Sequence, residues 1–346
     1  MTFIRGACGD AVTRFRKAGL SRRRLAVVMV HYGLFMALGL WNVAMSFASE
    51  YFLTWLNFLN VARQAAPIVI IAIGMTFVIA TAGIDLSVGS LVAFTSCLAA
   101  TWLADGTPLA LVIPAILIVG TVAGIINGYF VTLALPAFVV TLAALVYLRG
   151  FAFVYSNGYA VPITNDLFLA IGRGQFLGVH IPIWIAAVVA IVGWFVVTKT
   201  RFGLYALAIG GREEAARLMG IKVERIKIAV YGATGFLAAL GSIVISARLS
   251  NGSPNSGIML ELDVITATVL GGTSLFGGVA RIGGTVAGVL FINFVRNGLN
   301  LMGVNPFWVQ VVTGLILLLA VLLNTVVNRR VEEWARLGDT EREGQT

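Results

Sequence analysis

Asp85 is the residue whose setting first demands a chemical explanation. It stands in Ala82-Gly83-Ile84-Asp85-Leu86-Ser87-Val88-Gly89-Ser90, between two long apolar runs. A charge in such a place is costly and marks a functional site by default. Two chemistries suit it. A carboxylate at a helix start accepts hydrogen bonds from the first backbone N–H groups, as a cap. An ionisable group within a membrane can also hold a proton or a sodium ion. The two are compatible, because a broken helix turns its positive end toward any pathway beside it. Ser87, Asn127 and Asn297 offer neutral hydrogen bonds to hydroxyl groups. Phe138, Phe307 and Trp308 follow Pro136 and Pro306 and offer aromatic faces that could stack on a sugar ring. Helix packing and interfacial aromatic belts account for the same residues.

A second group is Gly210-Gly211-Arg212-Glu213-Glu214-Ala215-Ala216-Arg217-Leu218-Met219-Gly220-Ile221. It reads as a short helix ended by Gly220. Such a helix is marginal alone in water, and Ala215, Leu218, Met219 and Ile221 would form an apolar face. That face suits either a protein partner or the lipid surface. Arg248, Asn251, Asn255, Glu261 and Asp263 are expected at the opposite, outer face, as a dock for a soluble protein or as a solvated rim.

Other chemistries are absent from the pattern. No Gly-Lys dipeptide occurs anywhere, so there is no phosphate loop and ATP hydrolysis by that route is excluded. No Ser/His/Asp set or carboxylate pair suggests catalysis. Cys8 and Cys97 are far apart, and His31 and His180 are isolated, so neither a disulfide framework nor a metal site is implied.

The elements that carry these residues are membrane helices. The chain is 59% hydrophobic and only 11% charged, whereas a soluble domain carries about 25% charged residues. Its 39 glycines suit close helix packing. We count ten apolar spans: about 25–46, 58–82, 86–104, 109–130, 137–155, 182–197, 226–247, 262–273, 282–300 and 307–327. The first is too long for a signal-peptide core and is read as a retained helix. Seven basic residues precede position 25, and seven lie between Lys199 and Lys227. The positive-inside rule puts both groups in the cytoplasm. Six crossings from an inside N-terminus deliver Lys199 there, and ten deliver the tail with Arg329 and Arg330. The span at 262–273 is short, and the one around Asp85 is glycine-interrupted, a pattern that points to a transporter's centre. Asn127-Gly128, Pro136 and Val139 recur as Asn297-Gly298, Pro306 and Val309 at an offset of 170 residues. The copies are five spans apart and so face opposite ways, which makes them an inverted repeat. The expected fold is all-α and polytopic, with about ten transmembrane helices in two inverted-repeat halves. A basic cytoplasmic arm (1–24) precedes the transmembrane domain (25–327), which contains a cytoplasmic segment (199–227), and a cytoplasmic tail (328–346) follows.

Several of these motifs in order resemble the permeases of the ribose/xylose/galactose-type bacterial ABC importers. They are Gly74-Met75-Thr76, Gly83 to Ser90, Thr200-Arg201-Phe202-Gly203, Ala208 to Gly211 with Glu213 to Arg217, Glu261-Leu262-Asp263, Val269 to Ser274, Asn297 to Asn300 and Pro306-Phe307-Trp308. The resemblance runs over about residues 55–325. The chain departs from common members in its long basic arm and in Phe276, where Ser is common. The resemblance implies a non-catalytic inner-membrane subunit with both termini cytoplasmic. It implies partners: a cytoplasmic ATPase that uses ATP-Mg, a periplasmic sugar-binding protein, and a second permease copy or paralogue. No cofactor of the chain's own and no nucleic acid are expected. Residues 211–221 would be the coupling helix, with Gly211, Glu213, Glu214, Ala215, Ala216, Leu218 and Gly220 at the ATPase. Its motion would tilt one half of the bundle against the other, and the cargo would be a small neutral pentose or hexose. Branched-chain amino-acid permeases are distant relatives and keep that solute class open. The rivals are an ion-coupled transporter using Asp85 and a membrane scaffold that moves nothing.

Overall fold

The computed structural model describes residues 36–305 and 307–322, with Leu34 and Thr325. The basic arm, Cys8, His31, Pro306, Arg329, Arg330 and the tail lie outside the described residues. Thirteen helices are described: α1 (Met36–Ala48), α2 (Trp55–Ala80), α3 (Val88–Ala104), α4 (Leu109–Thr132), α5 (Ala137–Tyr155), α6 (Asp166–Arg173), α7 (Ile181–Lys199), α8 (Arg201–Gly211), α9 (Glu213–Leu218), α10 (Val223–Leu249), α11 (Leu260–Leu270), α12 (Ile282–Leu301) and α13 (Phe307–Leu322).

All ten apolar spans contain a helix. Six helices, α2, α4, α5, α7, α10 and α12, are long and apolar enough to cross a membrane. α1, α3, α11 and α13 are shorter, and α11 has only 11 residues, matching the short span at 262–273. Two regions hold more structure than their composition suggested. The basic segment contains α8, whose first turn is capped by Thr200 Oγ1 accepting from the Gly203 N–H at 3.3 Å. The loop over 157–181 contains α6 and short strands β1 (Val161–Pro162), β2 (Gln175–Phe176) and β3 (Val179–His180). β2 pairs with β3, and β1 pairs antiparallel with β4 (Asn251–Gly252), tying that loop to the end of α10.

α2 and α10 form the centre. Their apolar windows are 78% and 61% buried, against 17–28% for α4, α5 and α7. The outer helices instead expose large apolar side chains such as Leu111, Val146, Ile191 and Leu318, a surface suited to lipid or to another subunit. Because lipid is as apolar as the side chains, close contact must come from small residues and hydrogen bonds. Both are present. Gly120, Gly124 and Gly128 repeat every fourth residue along one face of α4, where the backbone of α10 lies. A Cβ at Gly124 would stand 2.2 Å from the Tyr231 carbonyl oxygen, and one at Gly120 would stand 2.6 Å from that of Gly235. Hydroxyl pairs cross between helices: Thr95 donates to Ser242 at 2.8 Å, and Thr76 and Thr285 lie 2.9 Å apart.

Candidate functional site

α2 ends where the chain reverses its twist. Ala82 has φ +59°. The Ala82 N–H donates to the Ile79 carbonyl at 2.9 Å and the Gly83 N–H to the Val78 carbonyl at 3.0 Å. This is the αL-terminated end usually built on glycine. The chain then runs irregularly to Val88, where α3 starts. Asp85 Oδ1 accepts from the Ser87 N–H at 2.9 Å and from the Ser87 hydroxyl at 2.6 Å. Asp85 therefore closes a turn on the cap residue and does not cap the first helical N–H groups. The difference is two residues of register: α3 begins after Ser87, which supplies no side-chain cap of its own.

Asn127 of α4 donates to the Ser87 hydroxyl at 2.9 Å, so Asp85, Ser87 and Asn127 form one network. The Ile84 carbonyl accepts from Thr141 of α5 at 3.2 Å and from Tyr231 of α10 at 3.4 Å. All these side chains are fully buried. The other aromatic and amide candidates are elsewhere. Phe138, Phe307 and Trp308 are exposed. Asn297 exchanges two 2.9 Å hydrogen bonds with Asn57 of α2.

The α8–α9 segment is seated against this break. Gly210, the penultimate residue of α8, touches the Ala80 carbonyl at the end of α2. That carbonyl accepts from the Gly278 N–H at 3.0 Å. The two glycine-rich breaks and the segment thus share one contact. α9 ends as a Schellman turn: Gly220 has φ +80°, its N–H donates to Arg217, and the Ile221 N–H donates to Ala216. Ala216 packs inward with Ile209 and Val223, while Leu218 and Met219 are 90% and 70% exposed. Ile221 turns toward the body, so the outward apolar tip is Leu218 and Met219. Glu214 and Gly211 are exposed. Glu213 accepts from Lys227 of α10 at 2.7 Å and from Arg217 at 3.0 Å, and Arg217 also pairs with Glu224. Burial raises the Glu213 carboxyl, but these cationic hydrogen bonds outweigh it and hold the group below its ordinary range. A cavity of about 340 Å³ lies between Gly83, Leu135, Glu213, Lys227 and Tyr231.

At the far end of α10 the predicted docking residues separate. Asn255 is exposed and Asn251 half-buried in β4. Glu261 is buried rather than on a rim, against Gly89 at the start of α3, where a Cβ would lie 2.1 Å from Oε2. Asp263 faces inward and binds Arg296 of α12 through both oxygens, at 2.8 and 2.5 Å. Arg248 lines a second cavity of about 620 Å³ with the Asp263–Arg296 pair. Beside it, Arg149 of α5 donates to the carbonyls of Pro254 at 2.6 Å and Ser256 at 2.7 Å. Arg149, Arg296 and Tyr231 were not singled out from the sequence, and Gly210 and Lys227 entered only as parts of a motif and of a basic cluster. The rule that selected Asp85, a charge inside an apolar run, selects Arg149 and Arg296 equally.

A family model described as branched-chain amino acid transport system / permease component matches residues 57–321. The ribose import permease protein RbsC of Bacillus subtilis is 44% identical over 300 residues, covering 86% of this chain and 93% of the relative. RbsC of Haemophilus influenzae is 43% identical over 281 residues, covering 79% and 86%. The L-arabinose ABC transporter permease protein AraH of Azospirillum brasilense is 39% identical over 302 residues, covering 87% of each. No solved structure matches. With six helices fit to cross a membrane and matches over most of its length, the chain is a non-catalytic, multi-pass membrane protein belonging to the family of ABC transport-system permease components.

Proposed function

We propose that this chain is the permease of an ATP-driven importer of a small neutral sugar, a pentose or hexose. It sits in the bacterial inner membrane with both termini cytoplasmic and crosses it ten times. A cytoplasmic ATPase consuming ATP-Mg docks on α9, a periplasmic binding protein docks at the β4 end, and a second permease copy or paralogue completes the passage. The sugar assignment is supported by the names of the ribose and arabinose relatives.

The observation that carries the coupling reading is the paired character of the α8–α9 segment. One side presents Leu218 and Met219 to solvent, and the other seats Gly210 on both breaks. A partner that captures the apolar tip therefore acts directly on the ends of α2 and of the Gly271–Gly278 turn. The inverted-repeat reading is supported by element order: α2 to α5 recur as α10 to α13 at the same offset of about 170 residues seen in the Asn-Gly motif. The α4–α10 seam joins the two repeats with no side-chain layer between them. Movement is accordingly assigned to the breaks and to the subunit as a body, not to one half tilting on the other. Asp85 spends Oδ1 on Ser87 and is sealed from solvent, which gives no support to an ion-coupled mechanism.

The test is uptake into vesicles containing the chain with its ATPase and loaded binding protein. ATP-dependent sugar entry is expected, and Leu218→Glu should abolish ATPase association without changing the melting temperature. Uptake with no ATPase present, abolished by Asp85→Asn, would overturn the proposal.

A further inference from the structure

The β2–β3 hairpin has an apolar tip where a turn in water would be polar. Its register pairs Gln175 with His180 and Phe176 with Val179, so Leu177-Gly178 is a two-residue loop. Both loop residues have positive φ, +53° and +75°. Asn-Gly or Asp-Gly is the usual choice there, because a bulky side chain at positive φ is strained. Leu177 nevertheless takes the first position and is 79% exposed, and Phe176 beside it is 61% exposed.

The place of this tip follows from α7. That helix has 19 residues, about 28 Å at 1.5 Å per residue, close to the roughly 30 Å of hydrocarbon in a bilayer. Its first turn then stands at one interface and Lys199 at the other. Trp184, Val188, Ile191 and Phe195 recur at i, i+4, i+7 and i+11 and are all exposed. They form one apolar stripe on the least buried of the six spans. The hairpin is fastened to the head of that stripe. The Trp184 indole N–H donates to the Phe176 carbonyl at 3.2 Å, and the two rings meet edge to face with centroids 6.1 Å apart. Phe176 and Leu177 therefore lie beside the lipid face of α7, at the level where headgroup and acyl chain meet. A soluble partner meets the chain above the headgroups, not at this depth.

The charge around the hairpin is one-sided. Arg173, two residues before β2, is exposed, and its Nε donates to the Arg248 carbonyl at 3.2 Å. Arg63 of α2 lies within electrostatic range of both His180 and Arg248. Among the described residues no carboxylate pairs with Arg63, Arg173 or Arg248. Arg173 offers its guanidinium to the outside, while Arg248 acts through space from within. A phosphodiester matches the guanidinium fork, and the unbalanced positive charge favours a lipid of net negative charge over a zwitterionic one.

We propose that this hairpin is a lipid-interface anchor: Phe176 and Leu177 enter the acyl boundary beside Trp184, and Arg173 holds the phosphate of an anionic phospholipid. The anchor bears on α10, because Gly172 lies directly on its backbone, where a Cβ would stand 2.3 Å from the Arg248 nitrogen. It requires only that the chain is in a membrane and is independent of the solute carried.

The experiment places an NBD fluorophore at Leu177→Cys, or at the exposed Asn255→Cys for comparison, in the full chain carrying Cys8→Ser; the remaining Cys97 is buried. The vesicles are mixed phosphatidylcholine and phosphatidylglycerol, with a doxyl quencher near the headgroup of one lipid or the other. The Leu177 probe should emit to the blue of the Asn255 probe and be quenched several-fold more. Quenching by phosphatidylglycerol should exceed that by phosphatidylcholine. Arg173→Gln should lower this preference about fivefold, and Arg201→Gln, at the start of α8, should not. Equal quenching of the two probes would overturn the anchor. Blue-shifted emission without doxyl quenching would show a second copy or another protein covering the tip, and would overturn it too. A preference for phosphatidylglycerol unmoved by Arg173→Gln would overturn the phosphate assignment.

Discussion

Gly210→Ala tests the contact on which the proposed coupling rests. The added Cβ would meet the Ala80 carbonyl oxygen at 1.8 Å and the Gly278 nitrogen at 2.6 Å. Real Cβ atoms essentially never approach closer than 3.0 Å, so α8 must retreat by at least about 1.2 Å, in a region packed like an organic crystal. Overpacking of this kind costs about 1–3 kcal/mol. Splitting the hydrogen bond from Gly278 to Ala80 adds about 1–3 kcal/mol if its groups stay unpaired. The helical preference for Ala over Gly returns about 1 kcal/mol. The net expectation is a loss of about 1–5 kcal/mol, or about 1–7 °C in melting temperature for a chain of this size. Gly211→Ala is the matched control: nothing lies within 4 Å of its Cβ position, so it should melt at or slightly above wild type. Both are read by thermal unfolding in detergent and by sugar-stimulated ATP hydrolysis of the complex. Gly210→Ala should lower both while Gly211→Ala lowers neither. Identical melting and coupling in the two variants would refute the claim that the segment is seated on the breaks.

Three further expectations follow from the same geometry. Asn127→Leu removes the donor to Ser87 and leaves a buried hydroxyl short of a partner, so unfolding in detergent should show a loss of about 1–3 kcal/mol. Arg296→Met strands the Asp263 carboxylate, and it should destabilise the protein more than the double change Asp263→Leu/Arg296→Met, as a double-mutant cycle on melting would reveal. The depressed Glu213 carboxyl stabilises the α9 segment fully above the ordinary value of 4.5, and that contribution fades as pH falls through the lower folded value. A spin label at Leu218→Cys should therefore gain mobility only in acid, and Glu213→Gln should remove the pH dependence. The effect should be small, since Glu213 is 40% exposed.

Much of the architecture was legible because membrane helices announce themselves by length and apolarity. A helix within each apolar segment, the shortness of α11 and the glycine end of α9 were all readable from residue type and spacing. What escaped was whatever depends on distant partners. Asp85 was read correctly as buried, but its bond to Ser87 depends on α3 starting two residues later than the capping pattern suggests. Glu261 and Asp263 looked like a polar rim because they follow a loop. Their burial depends on Gly89 and Arg296, which lie on other helices, and no local pattern encodes those contacts. Phe138, Phe307 and Trp308 share a motif context with Asn127 and Asn297, yet lie on the outer surface. An aromatic residue in an apolar helix carries no mark of which side it faces. α6 and α8 were missed for the reverse reason, since short helices in polar segments are held by caps and neighbours rather than by their own periodicity.

The bare seam between α4 and α10 has a mechanical consequence. α10 has 27 residues, a rod of about 40 Å at 1.5 Å per residue, with Lys227 beside Glu213 near one end and Arg248 at the polar cavity near the other. Along Gly120 to Gly128 its backbone lies directly on that of α4, leaving no compliant layer of side chains to absorb a displacement. A push delivered at the Glu213 end is therefore carried to the Arg248 end with little damping, as through a braced strut.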